Sequence, residues 1–205
     1  MSEVSSLTGR LLVATPALTD PNFERAVVLL LDHDEQGSLG VVLNRPTPVH
    51  VGDVLEPWAA LAGAPGVVFQ GGPVSLDAAL GVAIVPGAAG NGSTGAASAA
   101  APPGAQGASP LGWRRVHGAI GLLDLDAPPE VLAAELGFLR IFVGYAGWGP
   151  GQLEEEVAEG AWYVVDSEPG DVSSPDPERL WRAVLRRQRG ALALVATYPD
   201  DPTLN

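Results

Sequence analysis

The chain has 205 residues, 46% of them apolar, which is enough for one sizeable core and excludes general disorder. Twenty-four acidic residues stand against 11 arginines and no lysine, a net charge of -13 that argues against direct contact with DNA or RNA, whose protein affinity comes from neutralised phosphates. Cysteine is absent, which excludes disulfides, thiolate nucleophiles and cysteine-held metals and fits a reducing compartment.

Met1 to Ser6 has no basic stretch followed by an apolar one, and no later segment has the length and apolarity of a bilayer span; a cytoplasmic protein without membrane contact is expected. His33, His50 and His117 show no ligand spacing, so neither a metal nor another cofactor is expected.

Leu11-Leu12-Val13-Ala14 reads as a short strand running into Thr15-Pro16, and Ala26 to Leu31 as a longer one. Between them Asp20-Pro21-Asn22-Phe23 is a turn, with Asp and Asn able to hold backbone N–H groups and Phe23 facing inward. His33 to Gly37 reverses the chain into Ser38 to Leu43, the clearest hairpin in the sequence. Its nearly continuous apolar runs place both strands at the centre with both faces covered. At Asn44-Arg45-Pro46 the proline is expected to end the ladder. Arg45 either clamps a carboxylate or phosphate through its guanidinium fork or pairs with a structural glutamate.

Asp53 to Leu61 reads as a short helix limited or bent by Pro57, and Val67 to Gln70 as a strand ending in Gly71-Gly72-Pro73-Val74. Those glycines form either a tight turn or a pair of bare N–H groups facing an anion; the lysine and hydroxyl of a phosphate loop are missing. Leu80 to Val85 is a further strand. Gly87 to Gly112 is Ala, Gly, Ser and Pro almost throughout, uncharged and without a large apolar residue before Leu111, and is expected to be a flexible inserted loop. Ordered structure resumes over Trp113 to Asp126, with a strand at Ala119 to Leu125, a helix at Pro128 to Leu136 and a strand at Leu139 to Val143.

That strand leads into Gly144-Tyr145-Ala146-Gly147-Trp148-Gly149-Pro150-Gly151, expected to reverse tightly around Trp148 into a helix over Gln152 to Glu159. Helical spacing sets Gln152 and Glu156 on one face and Leu153 and Val157 on the buried one. Two readings of this corner stand. Either glycines make the turn, Trp148 plugs the core and Glu154 to Glu156 are a solvated first turn, or bare N–H groups beside Trp148 face a ligand. Ala161 to Val165 is a strand. Pro177 to Arg189 is an amphipathic helix that buries Leu180, Trp181, Val184 and Leu185 and carries Arg179, Arg182, Arg186, Arg187 and Arg189, and Ala191 to Ala196 closes the fold.

Read together, Leu11-Leu12-Val13-Ala14-Thr15-Pro16, Asp20-Pro21-Asn22-Phe23, Asn44-Arg45-Pro46, Gly71-Gly72-Pro73-Val74 and Gly144 to Glu154 resemble the YqgE/AlgH family of bacterial proteins, in the family's order and across nearly the whole chain. The resemblance implies a single α+β domain, a mixed β-sheet partly closed into a small barrel with surrounding helices, in a cytosolic protein. It brings no agreed catalytic residue, cofactor or substrate, although some members are described as transcriptional regulators. Asp77-Ala78-Ala79-Leu80-Gly81 stands where relatives carry a basic residue and an aromatic, and 87–112 exceeds the usual loop.

The leading expectation is a non-catalytic regulatory or interaction protein that binds a small ligand or protein partner in one cleft framed by Asn22, Asn44, Arg45, Gly71, Gly72, Pro73, Trp148, Gln152 and Glu156. An enzyme would use the same cleft, with Glu154 or Glu156 as acid/base and Arg45 as anion clamp. It would lack a cysteine nucleophile, a G-x-S-x-G elbow and clustered histidines, so no catalytic residue is assigned. A transcriptional regulator would act through a partner rather than by touching DNA.

Overall fold

Val27–Asp34 (β2) and Gly37–Val42 (β3) form the expected hairpin, and their side chains show why the apolar runs do not alternate with polar residues. The structure is a computed structural model that describes residues 6–91 and 110–199. In β2, Val27, Leu29 and Leu31 enter one core while Val28 and Leu30 enter another on the opposite face, all fully buried. Leu11–Ala14 (β1) divides in the same way, held antiparallel between β2 and Trp162–Val165 (β10).

Phe138–Trp148 (β9) is shared by both halves of the sheet. Its C-terminal half pairs with β3, and its N-terminal half lies between Val67–Gln70 (β5), in parallel, and Val74–Ile84 (β6), antiparallel. Ile120–Leu123 (β8) and Trp113–His117 (β7) continue outward from β6, and Pro46–His50 (β4) flanks β5. The result is a single mixed α+β domain whose sheet curls into a half barrel. Its inner face, with Leu29, Phe69 and Phe142, is closed by Pro169–Val172 (α4) through Val172 and by Leu180–Arg186 (α5) through Leu180, Trp181, Val184 and Leu185. Outside, Gln152–Ala158 (α3) lays Leu153 and Val157 over one half. Val51–Val54 (α1), Trp58 and Pro129–Leu132 (α2) cover Val68, Ala83 and Ile141 on the other.

Arg140 of β9 is 2% exposed on the inner face, where its guanidinium donates to the carbonyls of Val172 (2.6 Å), Ala64 (2.8 Å) and Ser174 (3.1 Å). It stacks 4.3 Å from the Phe69 ring and 5.0 Å from Phe138. Its acceptors here are neutral carbonyls, and burial lowers its pKa to about 10.

Several expected boundaries move, each for a local reason. Pro46 opens β4 instead of ending a ladder, since the first position of an edge strand has no need of an N–H. The helix expected over 53–61 is α1 followed by a 3-10 turn at Glu56–Trp58 with Pro57 inside it, and the helix expected from Pro128 shrinks to α2. The arginine-rich helix begins as a 3-10 turn at Pro177–Arg179 and continues as α5 only to Arg186. The expected reversal at Gly144 to Gly147 is absent: β9 runs straight through to Trp148, and only Gly149 to Gly151 turn, with Gly151 at φ 75°. The edges of the expected flexible insert are ordered, because a 3-10 turn at Pro86–Asn91 puts Ala88 in the core and Gly112 accepts the Asp124 N–H at 2.7 Å. The middle of that insert, 92–109, lies outside the described residues.

Candidate functional site

The two glycine motifs meet each other. Gly71 donates its N–H to Val143 of β9 (2.9 Å) and accepts from Val42 of β3 (2.8 Å), so the bend between β5 and β6 crosses directly over β9. A Cβ on Gly72 would lie 2.2 Å from the Tyr145 carbonyl, and one on Gly144, at φ 72°, 2.5 Å from the Gly72 oxygen. Two backbones in contact therefore require these glycines.

Trp148, Gln152 and Glu156 form a latch. Trp148 Nε1 and Trp162 Nε1 both donate to Glu156 Oε2 at 2.9 Å, and Gln152 Nε2 donates to Glu156 Oε1 at 3.0 Å. Gln152 in turn accepts the Gly149 N–H at 3.0 Å, which fixes the turn before α3. The indoles pack edge to face at 6.1 Å, with Phe23 against both. Trp148 plugs the core, and the Glu156 carboxylate accepts from all three neutral donors at once.

Beside the latch is a cluster that the sequence did not single out. His33 Nδ1 lies 2.7 Å from Ser38 Oγ, and His33 Nε2 lies 3.4 Å from Glu154 Oε1. The order serine, imidazole, carboxylate imitates a hydrolytic triad, yet His33 and Ser38 are 4% and 9% exposed and none of the three lines the cleft or groove described next. They pin α3 to the hairpin.

Asn22, Arg45, Gly72 and Pro73 do converge, with Pro21, Val42 and Gln70, around a polar cleft of about 60 Å3. That is far smaller than the ~300–1,000 Å3 of small-molecule sites. Arg45 donates to the Glu24 carbonyl; burial lowers its pKa and the Glu24 carboxylate opposes that. Asn44 is buried and turned inward, accepting from Val27 N–H (3.0 Å) and donating to Arg25 C=O (2.9 Å). Gly71, Trp148, Gln152 and Glu156 do not line the cleft. The single expected cleft is thus two separate places, and Arg45 does not share a cavity with Glu154 or Glu156.

A larger concavity was not foreseen. A groove of about 510 Å3 crosses the face of β4, β5, β9 and β6, lined by Thr47, Val49, Val68, Leu76, Ile141 and Val143 among others and bounded by Val54 and Leu55 of the α1 region. It is the open end of the outer layer that Trp58 and α2 cover further along. Val49, Val54 and Leu76 remain 41%, 54% and 56% exposed.

A family model described as AlgH-like matches residues 11–193. The chain belongs to the AlgH-like family. This AlgH-like chain is 77% identical to a UPF0301 protein of Streptomyces coelicolor, over 100% of its own length and 98% of the relative's, and 46% identical to one from Thermobifida fusca, over 98% and 96%. Among solved structures it is similar to protein DIP2367 of Corynebacterium diphtheriae (TM-score 0.81, 29% identity, 97% and 95% of the two chains). It also resembles the AlgH protein of Pseudomonas aeruginosa (TM-score 0.60, 26% identity, 98% of each).

In this AlgH-like fold three arginines of the patch have partners within the chain. Arg187 pairs with Asp171, whose hydrogen bond raises the arginine's pKa, and it also donates to the Asp166 carbonyl at 2.9 Å. Arg182 holds the carbonyl of Tyr198 at 2.9 Å, and Arg179 lies 3.3 Å from Asp176. Among the described residues no group of three or more His, Asp or Glu side chains is arranged to hold a metal ion, and no helix is long and apolar enough to cross a membrane.

Proposed function

We propose that this AlgH-like protein acts by binding rather than by chemistry, taking an apolar segment of a partner into the groove between β4, β6 and α1. The observation that carries the reading is the lining itself. Val49, Val54 and Leu76 stand exposed beside the fully buried Ile141, and covering such a patch is favourable at about 25 cal/mol per Å2. The volume is in the range of sites that hold ligands or side-chain anchors, whereas the Arg45 cleft is not. The three N–H donors on Glu156 support the non-catalytic half of the reading, because a carboxylate so occupied is poorly disposed to exchange a proton with a substrate. A regulatory role would run through the partner, since a net charge of -13 opposes DNA contact, and the absence of cysteine fits a cytoplasmic encounter.

The test is titration with the neutral dye Nile red. Wild type should enhance its emission, and the paired variant Val54→Ser with Leu76→Ser should lose most of that enhancement while unfolding within about 0.5 kcal/mol of wild type, both side chains being exposed. Equal enhancement by the variant removes the reading.

A further inference from the structure

We infer that the groove's occupant is an amphipathic helix with an apolar stripe and basic flanks, supplied by a partner protein; the inference rests on the groove being the binding site. The first argument is topological. The two central strands of the floor have no free edges, since β5 is paired with both β4 and β9, and β9 with both β5 and β6. An incoming strand would therefore find free backbone edges only at the margins, along β4 and the start of β6, and what the middle of the groove presents is a sheet face. Sheet faces are covered by helices in layered folds, and on this same face the neighbouring stretch already is, by α1, Trp58 and α2. Four strands span three spacings of ~4.8 Å, about 14 Å, which admits a helix of ~10–12 Å diameter.

The second argument is charge. Asp77 lines the groove, and Asp53 and Glu56, both exposed, flank the lining residues Val54 and Leu55 in sequence; no arginine lines it. A second copy of this chain would bring another charge of -13 to an acidic rim. The chain's own segments at 1–5, 92–109 and 200–205 contain no lysine or arginine, and 92–109 has no large apolar residue to fill the space. The chemistry that complements both floor and rim is Leu, Ile or Met along one helical face with Lys or Arg beside it.

Three synthetic helical peptides of about 18 residues, with one leucine stripe and polar faces of lysine, glutamine or glutamate, separate the possibilities by fluorescence anisotropy against the full chain. The lysine peptide should bind at least about tenfold more tightly than the glutamate peptide and displace Nile red. Its affinity should fall roughly fivefold in the Asp53→Asn, Asp77→Asn double variant and be lost in Val54→Ser with Leu76→Ser. If the glutamine peptide binds as well as the lysine peptide, or the double Asn variant changes nothing, the basic-helix inference fails while the groove reading stands. Lysine-peptide binding that survives Val54→Ser with Leu76→Ser is diffuse attraction to an acidic surface and overturns the inference. If no peptide displaces the dye, the inference falls; if the dye itself ignores the serine variant, the groove reading falls with it.

Discussion

Replacing Glu156 by alanine should cost about 3 kcal/mol, a figure that follows from the two indoles it serves. Trp148 and Trp162 are 6% and 3% exposed, and each gives its Nε1 proton to the same oxygen at 2.9 Å. A buried donor left without an acceptor costs about 1–3 kcal/mol, so two give roughly 2–6. Glu156 is only half-buried, which lets water reach part of the space, and the lower half of that range applies. For a chain of this size about 2–4 °C accompanies each kcal/mol, so the melting temperature should drop by roughly 6–12 °C. Glu156→Gln keeps one oxygen for both indoles but sets an amide NH2 against that of Gln152, and should cost about 1 kcal/mol. Tryptophan fluorescence during guanidinium unfolding, with calorimetry beside it, measures both. An alanine variant that melts within about 2 °C of wild type would refute the latch, and with it the argument that removes Glu156 from chemistry.

Two further outcomes follow from the same contacts. Gly144→Ala should cost more than about 3 kcal/mol or yield insoluble protein, because its Cβ would meet the Gly72 oxygen at 2.5 Å in a left-handed conformation; soluble expression and a denaturation midpoint decide this. Arg140→Met should destabilise by about 2–4 kcal/mol at neutral pH, since three carbonyls lose their donor while a buried charge is relieved. With the folded pKa lowered to about 10, the burial penalty is fully present at neutral pH and is relieved only as pH rises through about 10, so wild type should gain on the methionine variant between about pH 9 and pH 11 and not below.

The central strands were legible because burial on both faces writes itself as an uninterrupted apolar run, as in β2 and β3. The buried stripe of α5 was legible for the complementary reason, its 3.6-residue period. Glycine misled. Gly144 and Gly147 look like a turn in sequence, while Gly144 in fact permits a strand to touch another backbone, a tertiary cause that local composition does not carry. Of the residues expected to frame one cleft, Asn22, Arg45, Gly72 and Pro73 line one small cleft and Trp148, Gln152 and Glu156 hydrogen-bond to one another, and the two sets do not join. The groove escaped notice because Val54 and Leu76 are indistinguishable in sequence from core residues; only the tertiary packing shows that nothing in the described chain covers them.

The glycine crossing also accounts for where the groove stands. Because Gly71 and Gly72 draw the bend after β5 onto β9, β6 starts beside Tyr145 and runs for several residues before β8 joins it at Gly81. Leu76, Asp77 and Ala79 belong to that stretch, and with no β8 beside them they form a wall in place of another paired layer. Scaffold and surface are thereby divided between residue types: the glycines and Trp148 hold the backbone, whereas the chemistry offered to a partner comes from side chains that the same backbone leaves uncovered. A substitution at Gly72 should disturb binding only by disturbing the fold, and one at Leu76 should disturb binding alone.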